Sequence, residues 1–326
     1  MTVAVKQCLL GTSCMMLLLG SASIAHATSS EWTQVGTNVW TVAQGAIYRT
    51  QGMAADGPDY YFSWQYGLQK TDGSYNVLTS NSSYPTVSGI PTALSSLGYN
   101  HIGDIDYANG RIYASLDSST SGYNTPAVAL YNASTLAYTG TYYTLSAPDG
   151  THDIASWIAV GAKNGLAYGM GYDNATEMEV YDLATFKFER YIQLSQSLDS
   201  VQGGKLDDGW MYMSSNDSSK SVYRVNLLTG EVQTLFSLKQ DYDQEVEGLS
   251  VTDTANGPEL NVLVINDPDD SGRNLRDPKL NVTLYHYEMS NVPEPGSIAM
   301  VLAGLGMLGA TRLRKERRAN RAVPSA

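Results

Sequence analysis

The chain has 326 residues, with 32 acidic and 20 basic side chains and a formal charge of −12 at pH 7. An acidic surface repels nucleic-acid phosphates and anionic lipid, and no basic stripe runs through the middle of the chain. Nucleic acid is therefore excluded as a partner, while cations and neutral or basic ligands remain compatible. Tyrosine (23) far outnumbers phenylalanine (4), and glycine is frequent (30), a mixture that suits strands and turns rather than helices.

Residues 1–27 have the order of a secretory signal peptide. Lys6 precedes an apolar core centred on Met15-Met16-Leu17-Leu18-Leu19, and small residues close on Ala25-His26-Ala27. The core is too short to span a bilayer, so cleavage is expected after Ala27. Both cysteines, Cys8 and Cys14, fall inside this segment. The exported chain would then have neither disulfides nor a cysteine nucleophile.

The body, residues 28–291, repeats itself with a period of about fifty residues. Its charge is more negative than that of the whole chain. Two acidic residues (Glu294, Glu316) and seven basic ones (Lys6, Arg312, Arg314, Lys315, Arg317, Arg318, Arg321) lie at the ends, leaving 30 acidic against 13 basic.

The first copy reads Gln51-Gly52-Met53-Ala54, Tyr60-Tyr61-Phe62-Ser63-Trp64 and Gly67-Leu68-Gln69-Lys70. The second runs from Ile102-Gly103-Asp104-Ile105 through the turn Asn109-Gly110 to Ile112-Tyr113-Ala114 and Leu130-Tyr131-Asn132. The third has Trp157-Ile158-Ala159-Val160, Asn164-Gly165 and Val180-Tyr181-Asp182. The fourth has Gly203-Gly204-Lys205-Leu206, Asp208-Gly209 and Tyr223-Arg224-Val225-Asn226. The fifth has Glu247-Gly248-Leu249, Asn256-Gly257 and Leu284-Tyr285-His286-Tyr287.

Each copy is an apolar strand, a tight turn, a second strand, a loop and a third strand. Asn-Gly and Asp-Gly permit the positive φ angles of a two-residue hairpin. One such unit cannot bury both its faces, so copies must pack together. The pattern predicts an all-β fold, a β-propeller of about five to six blades, in preference to a sandwich or a β-helix. The strands around residues 32–35 and 39–48 either close the ring with the last copy or belong to a sixth blade. The Tyr-Asp/Asn-x-x-Thr ending of the third strands (Tyr131 to Thr135, Tyr181 to Thr185) resembles the YVTN/quinoprotein-like propellers, a likeness that implies fold and no activity.

Residues just before and along the inner strands of a propeller converge at the mouth of the central channel. Here they are Gln51, His101, Asp104, Ser156, Gln202, Glu245 and Glu247. Carboxylates and amides from several blades would suit Ca²⁺, a hard cation with many oxygen ligands. Glu247-Gly248-Leu249 also resembles the Glu-Gly start of inner strands in lactonase-like and phytase-like propellers, which implies Glu247 as a metal ligand. The alternative is that Glu247 lines a wet channel and His101 bonds a neighbouring strand.

His152-Asp153 reads as a turn rather than a base and its orienter. The run from Asn266 to Gly272 reads as a hairpin tip or a loose cation loop. No nucleophile-elbow, zinc-protease or phosphate-loop motif occurs in the body.

The last segment, residues 292–326, divides into a motif (292–296: Val292, Pro293, Glu294, Pro295, Gly296), an apolar helix (297–311) and a basic tail (312–326). The apolar run lies near the lower limit for a membrane span, and the arginines after it would stay cytoplasmic. These parts, in this order, resemble the bacterial PEP-CTERM sorting signal. The resemblance implies reading by a membrane-embedded exosortase, which is thought to cut near Pro-Glu-Pro in bacteria that make exopolysaccharide. The span would then be a temporary anchor, and the product would end at the cell surface or in the extracellular matrix.

Two functional expectations follow. The first is an exported, surface- or matrix-associated binding or structural propeller, with sugar binding favoured by its Tyr and Trp supply. The second is an exported lactonase- or esterase-like hydrolase using a channel metal and His101 as base.

Overall fold

The computed structural model describes residues 32–151, 153–254, 257–270, 272 and 277–289. The signal segment, the sorting tail, His152 and Asn256 lie outside them. Among the described residues no helix is long and apolar enough to cross a membrane.

The strands form five four-stranded antiparallel sheets. Blade 1 holds β2 (Met53–Ala55), β3 (Tyr60–Trp64), β4 (Gly67–Thr71) and β5 (Val77–Ser80). Blade 2 holds β6 (His101–Ala108), β7 (Arg111–Asp117), β8 (Ala127–Asn132) and β9 (Tyr138–Thr144). Blade 3 holds β10 (Ala159–Gly161), β11 (Leu166–Gly169), β12 (Ala175–Asp182) and β13 (Phe188–Leu198). Blade 4 holds β14 (Val201–Asp207), β15 (Trp210–Ser215), β16 (Ser221–Asn226) and β17 (Val232–Ser237).

Blade 5 holds β18 (Asp243–Thr254), β19 (Gly257–Asp267) and β20 (Asn281–Met289), and its outer strand is β1 (Trp32–Thr41) from the other end of the chain. That pairing decides the blade number. The early strand completes the fifth blade, and residues 42–49 are short 3₁₀ turns rather than part of a sixth. Each inner strand packs on the next, from β2 through β6, β10 and β14 to β18 and back to β2, which closes the ring. The body is a five-bladed β-propeller.

Alternation within each strand explains why both faces of a blade are buried. In β8, Ala127, Ala129 and Tyr131 enter the core shared with blade 1, while Val128 and Leu130 enter the core shared with blade 3. In β19, Leu260, Val262 and Val264 face blade 4, and Leu263 and Ile265 face blade 1. With a fifth cluster between blades 3 and 4, one apolar core fills each of the five blade junctions. A core residue removed from any junction loosens two sheets at once.

The turn chemistry follows the sequence at two inner hairpins. Asn109 and Gly110, and Asp208 and Gly209, have positive φ at both positions, as a two-residue turn of this hand requires. Asn164-Gly165 differs: β10 ends at Gly161, so the turn spans four residues and only Gly165 is left-handed. The Tyr-Asp/Asn-x-x-Thr endings are caps on the outer hairpins. Asn132 Oδ1 accepts from the Ser134 and Thr135 amides, and Asp182 Oδ1 from the Thr185 amide and hydroxyl. In the 266–272 run, Asn266 and Asp267 belong to β19, and Asp269 pairs with Lys279 at 2.8 Å.

Candidate functional site: a blind cup at the channel mouth

In a four-stranded meander, the start of the inner strand and the loop between the second and third strands share one end of the blade. That geometry gathers side chains from all five blades around one cavity of about 280 Å³. Gln51, His101, Ser156, Gln202 and Glu245 line it from around the inner-strand starts. Tyr123 and Tyr172 join them from the β7–β8 and β11–β12 loops, and Asp153 from the approach to β10. Five of the seven channel candidates named from the sequence therefore share one cavity.

Asp104 and Glu247 lie beneath, almost fully buried. Three inner strands are bulged at this level, with register shifts at Ile102/Ile105, Val201/Gly203 and Val246/Leu249. Bulges re-aim side chains, and these turn Asp104 and Glu247 out of the regular alternation. Glycines permit the close approach of neighbouring strands. A Cβ on Gly248 would lie 2.7 Å from the Gly52 Cα, and one on Gly103 would lie 2.4 Å from the Ser156 carbonyl oxygen.

Asp104 is the hub of this floor. Its Oδ1 accepts from the Met53 amide (3.0 Å) and the Ile105 amide (2.8 Å). Its Oδ2 accepts from the Gly204 amide (3.3 Å) and Lys205 Nζ (2.6 Å). One carboxylate thus ties blades 1, 2 and 4 together, with Lys205 as its buried counter-charge. Burial pushes the Asp104 carboxyl up to about 6, against the lowering effect of Lys205. Among the described residues, no three His, Cys, Asp or Glu side chains converge on a metal position. Asp104 braces the inner strands through Lys205, while the Glu247 carboxylate accepts from Gln51 Nε2 at 3.5 Å and its backbone carbonyl accepts from the Ser214 hydroxyl.

The cup itself is polar. Gln51 donates through Nε2 to the Thr50 carbonyl oxygen (2.8 Å), and its own carbonyl oxygen accepts the Gly248 amide (2.7 Å). His101 packs edge-on against Tyr123 with ring centroids 5.6 Å apart. Burial pushes its imidazole down to about 4, so the ring is neutral at physiological pH and a weak base. Burial, with Asp117 and Asp173 nearby, pushes the Asp153 carboxyl up to about 7.

Two further cavities adjoin the cup. One, of about 270 Å³, shares Gln51 and His101 and is walled by Trp64, Tyr66 and Tyr84. The other, of about 500 Å³, shares Asp153 and Tyr172 and lies between blades 2 and 3.

Tyr123 and Tyr172 are not legible as site residues, and Asp153, read from the sequence as part of a turn, lines the cavity. The available signal was positional: both tyrosines occupy the loop after the second strand, in consecutive blades.

No curated protein sequence is similar to the chain. Among solved structures, a GH43 protein of Bacillus licheniformis matches at 15% identity and a TM-score of 0.46, over 78% of this chain and 60% of that one. The chain thus spans about 60% of that protein's length. Residues 291–318 match the PEP-CTERM protein-sorting motif, which implies export and exosortase-mediated sorting to the cell surface. The chain is a five-bladed β-propeller that carries a PEP-CTERM sorting motif at its C-terminal end.

Proposed function

We propose that the protein is a surface-displayed glycan-binding propeller of the extracellular matrix, holding a hydroxyl-rich, non-anionic sugar in the channel-mouth cup. The observation that carries this reading is the composition of the cup. Amides (Gln51, Gln202), a hydroxyl (Ser156) and tyrosine rings (Tyr123, Tyr172) surround a space of about 280 Å³, and the buried Asp104–Lys205 pair braces the inner strands that carry them. Amides and hydroxyls match sugar hydroxyls, and aromatic faces match the C–H faces of a pyranose. The acidic body disfavours anionic polymers, which narrows the partner to neutral or basic exopolysaccharide.

The test is calorimetric titration of the purified protein with neutral and basic oligosaccharides cut from matrix polymers. Gln202→Ala and Tyr172→Ala are each expected to weaken binding about tenfold, equivalent to about 1.4 kcal/mol. Unchanged affinity in both variants refutes the cup as the site.

One observation favours a second reading, a hydrolase. Asp153 and Glu245 face the same cavity, and Asp153 titrates in the range useful for a general acid. Two carboxylates flanking one cavity suit glycoside hydrolysis without a metal. Release of new reducing ends by the wild type, lost in Asp153→Asn while binding persists, would establish this reading over simple binding.

A further inference from the structure

We infer that the cavity between blades 2 and 3 receives the ammonium group of an amino sugar, with Glu179 as the buried counter-charge. This rests on the cup being a glycan site and narrows its ligand to an amino-bearing glycan.

Glu179 breaks the pattern of its strand. Along β12, Glu177, Glu179 and Tyr181 alternate with Met178 and Val180, and Tyr181 lies in the apolar core shared by blades 2 and 3. An apolar residue is therefore expected at 179. Instead a carboxyl only 1% exposed stands there, with neither oxygen hydrogen-bonded, and it lines the cavity of about 500 Å³. Gly169 is its partner across β11, where a Cβ would meet the Ile154 carbonyl oxygen at 3.0 Å. A buried carboxylate without a partner is strongly disfavoured, so a group that only a ligand supplies is the natural complement.

Asp149, Asp153, Asp173 and Glu177 also line this cavity, and among the described residues no lysine or arginine does. Asp149 Oδ2 already accepts from the Thr151 hydroxyl at 2.7 Å. The tyrosines near Glu179 are Tyr172 on the wall and Tyr181 and Tyr191 beside it. Among the described residues no three carboxylates converge on one metal position, which favours a cation held by dispersed acceptors over a chelated ion. An ammonium needs only acceptors spread around it, and the cavity provides them. Asp153 and Tyr172 belong to both this cavity and the cup, so one saccharide can place its hydroxyls in the cup and its amine against Glu179.

Ligand binding also has a proton signature. Glu179 holds its proton in the free protein because burial raises its carboxyl to about 8. An ammonium beside it favours the ionised form, so binding expels that proton.

The test titrates the purified protein, at mildly acidic pH, with a glucosamine tetramer and with its fully N-acetylated counterpart. A lysine-rich peptide and calcium chloride serve as the competing cations. The deacetylated tetramer is expected to bind at least tenfold tighter than the acetylated one and to release about one proton, read from enthalpies in buffers of different ionisation heat. Glu179→Gln, nearly isosteric, is expected to abolish both the preference and the release. Asp173→Asn, at the exposed rim, is expected to reduce the preference several-fold without disturbing the fold.

Equal binding of the two tetramers, or a preference unchanged in Glu179→Gln, overturns this inference and leaves the glycan cup standing. Tighter binding of the peptide or of calcium also overturns it. Binding of neither sugar overturns the cup as well.

Discussion

Lys205 Nζ lies 2.6 Å from Asp104 Oδ2 at the floor of the cup, with side-chain exposures of 6% and 0%. The two residues come from blades 4 and 2, so the pair crosses the ring rather than joining neighbours. Removing one member of a buried pair costs about 3–5 kcal/mol, because the other charge is left uncompensated. The two members are not equivalent here. Asp104→Ala also orphans the Met53, Ile105 and Gly204 amides, whereas Lys205→Met leaves Asp104 with those three donors. Urea denaturation should therefore show Asp104→Ala as the more destabilised variant by at least about 1 kcal/mol. The reverse order would contradict the brace.

The sequence makes the inner three strands of each blade legible, because they are buried on both faces and end in Asn-Gly or Asp-Gly turns. It does not reveal the fourth strands. β9 (Tyr138–Thr144) and β17 (Val232–Ser237) are mostly exposed or half-buried, so they carry little apolar signal. The closing role of β1 depends on a pairing between opposite ends of the chain, such as Trp40 with Val282, which no local pattern encodes. At the cup, the inner-strand starts fixed Gln51, His101, Gln202 and Glu245. Asp104 read as a candidate ligand because the lysine that neutralises it lies 101 residues away.

The glycines at the floor should tolerate no side chain. A Cβ on Gly248 would sit 2.5 Å from Asp104 Oδ1 and 2.7 Å from the Gly52 Cα, and the latter contact is backbone that cannot swing away. Gly248→Ala is expected to cost about 2–3 kcal/mol through overpacking. Gly36→Ala, whose Cβ would meet nothing nearer than 3.4 Å, is the matched control and should change stability by less than about 0.5 kcal/mol. Equal unfolding midpoints for the two variants would show that the ring of inner strands is not tightly closed.

Arg49 fastens the closing strand to blade 1. Its guanidinium carbon lies 4.0 Å from the Trp40 ring centroid and 4.8 Å from that of Phe62, while Nε donates to Gln69 Oε1 at 3.0 Å. Burial pushes the group down to about 10, still charged at neutral pH. Arg49→Ala removes packing from β1, β3 and β4 together, for an expected cost of about 2–4 kcal/mol. Amide exchange should rise first in β1 and β20 if this latch holds blade 5 closed. Uniform exchange across all blades would assign Arg49 no such local role.

Glu179 predicts the sign of a pH effect. Burial raises its carboxyl from the ordinary 4.5 to about 8, with Asp149 and Glu177 acting in the same direction. Between these values the fold keeps a proton that the unfolded chain has lost, so unfolding releases it and stability falls as pH rises. The full gap corresponds to at most about 5 kcal/mol. Glu179→Gln, which cannot ionise, should match the wild type near pH 4 and exceed it increasingly up to about pH 8, in the absence of ligand. Asp104 and Asp153 are also raised and give both proteins a residual slope of the same sign, so the difference between the two curves is the quantity to read. A difference that stays flat with pH, or a variant less stable than the wild type at high pH, would mean that Glu179 is already neutralised by a group within the protein.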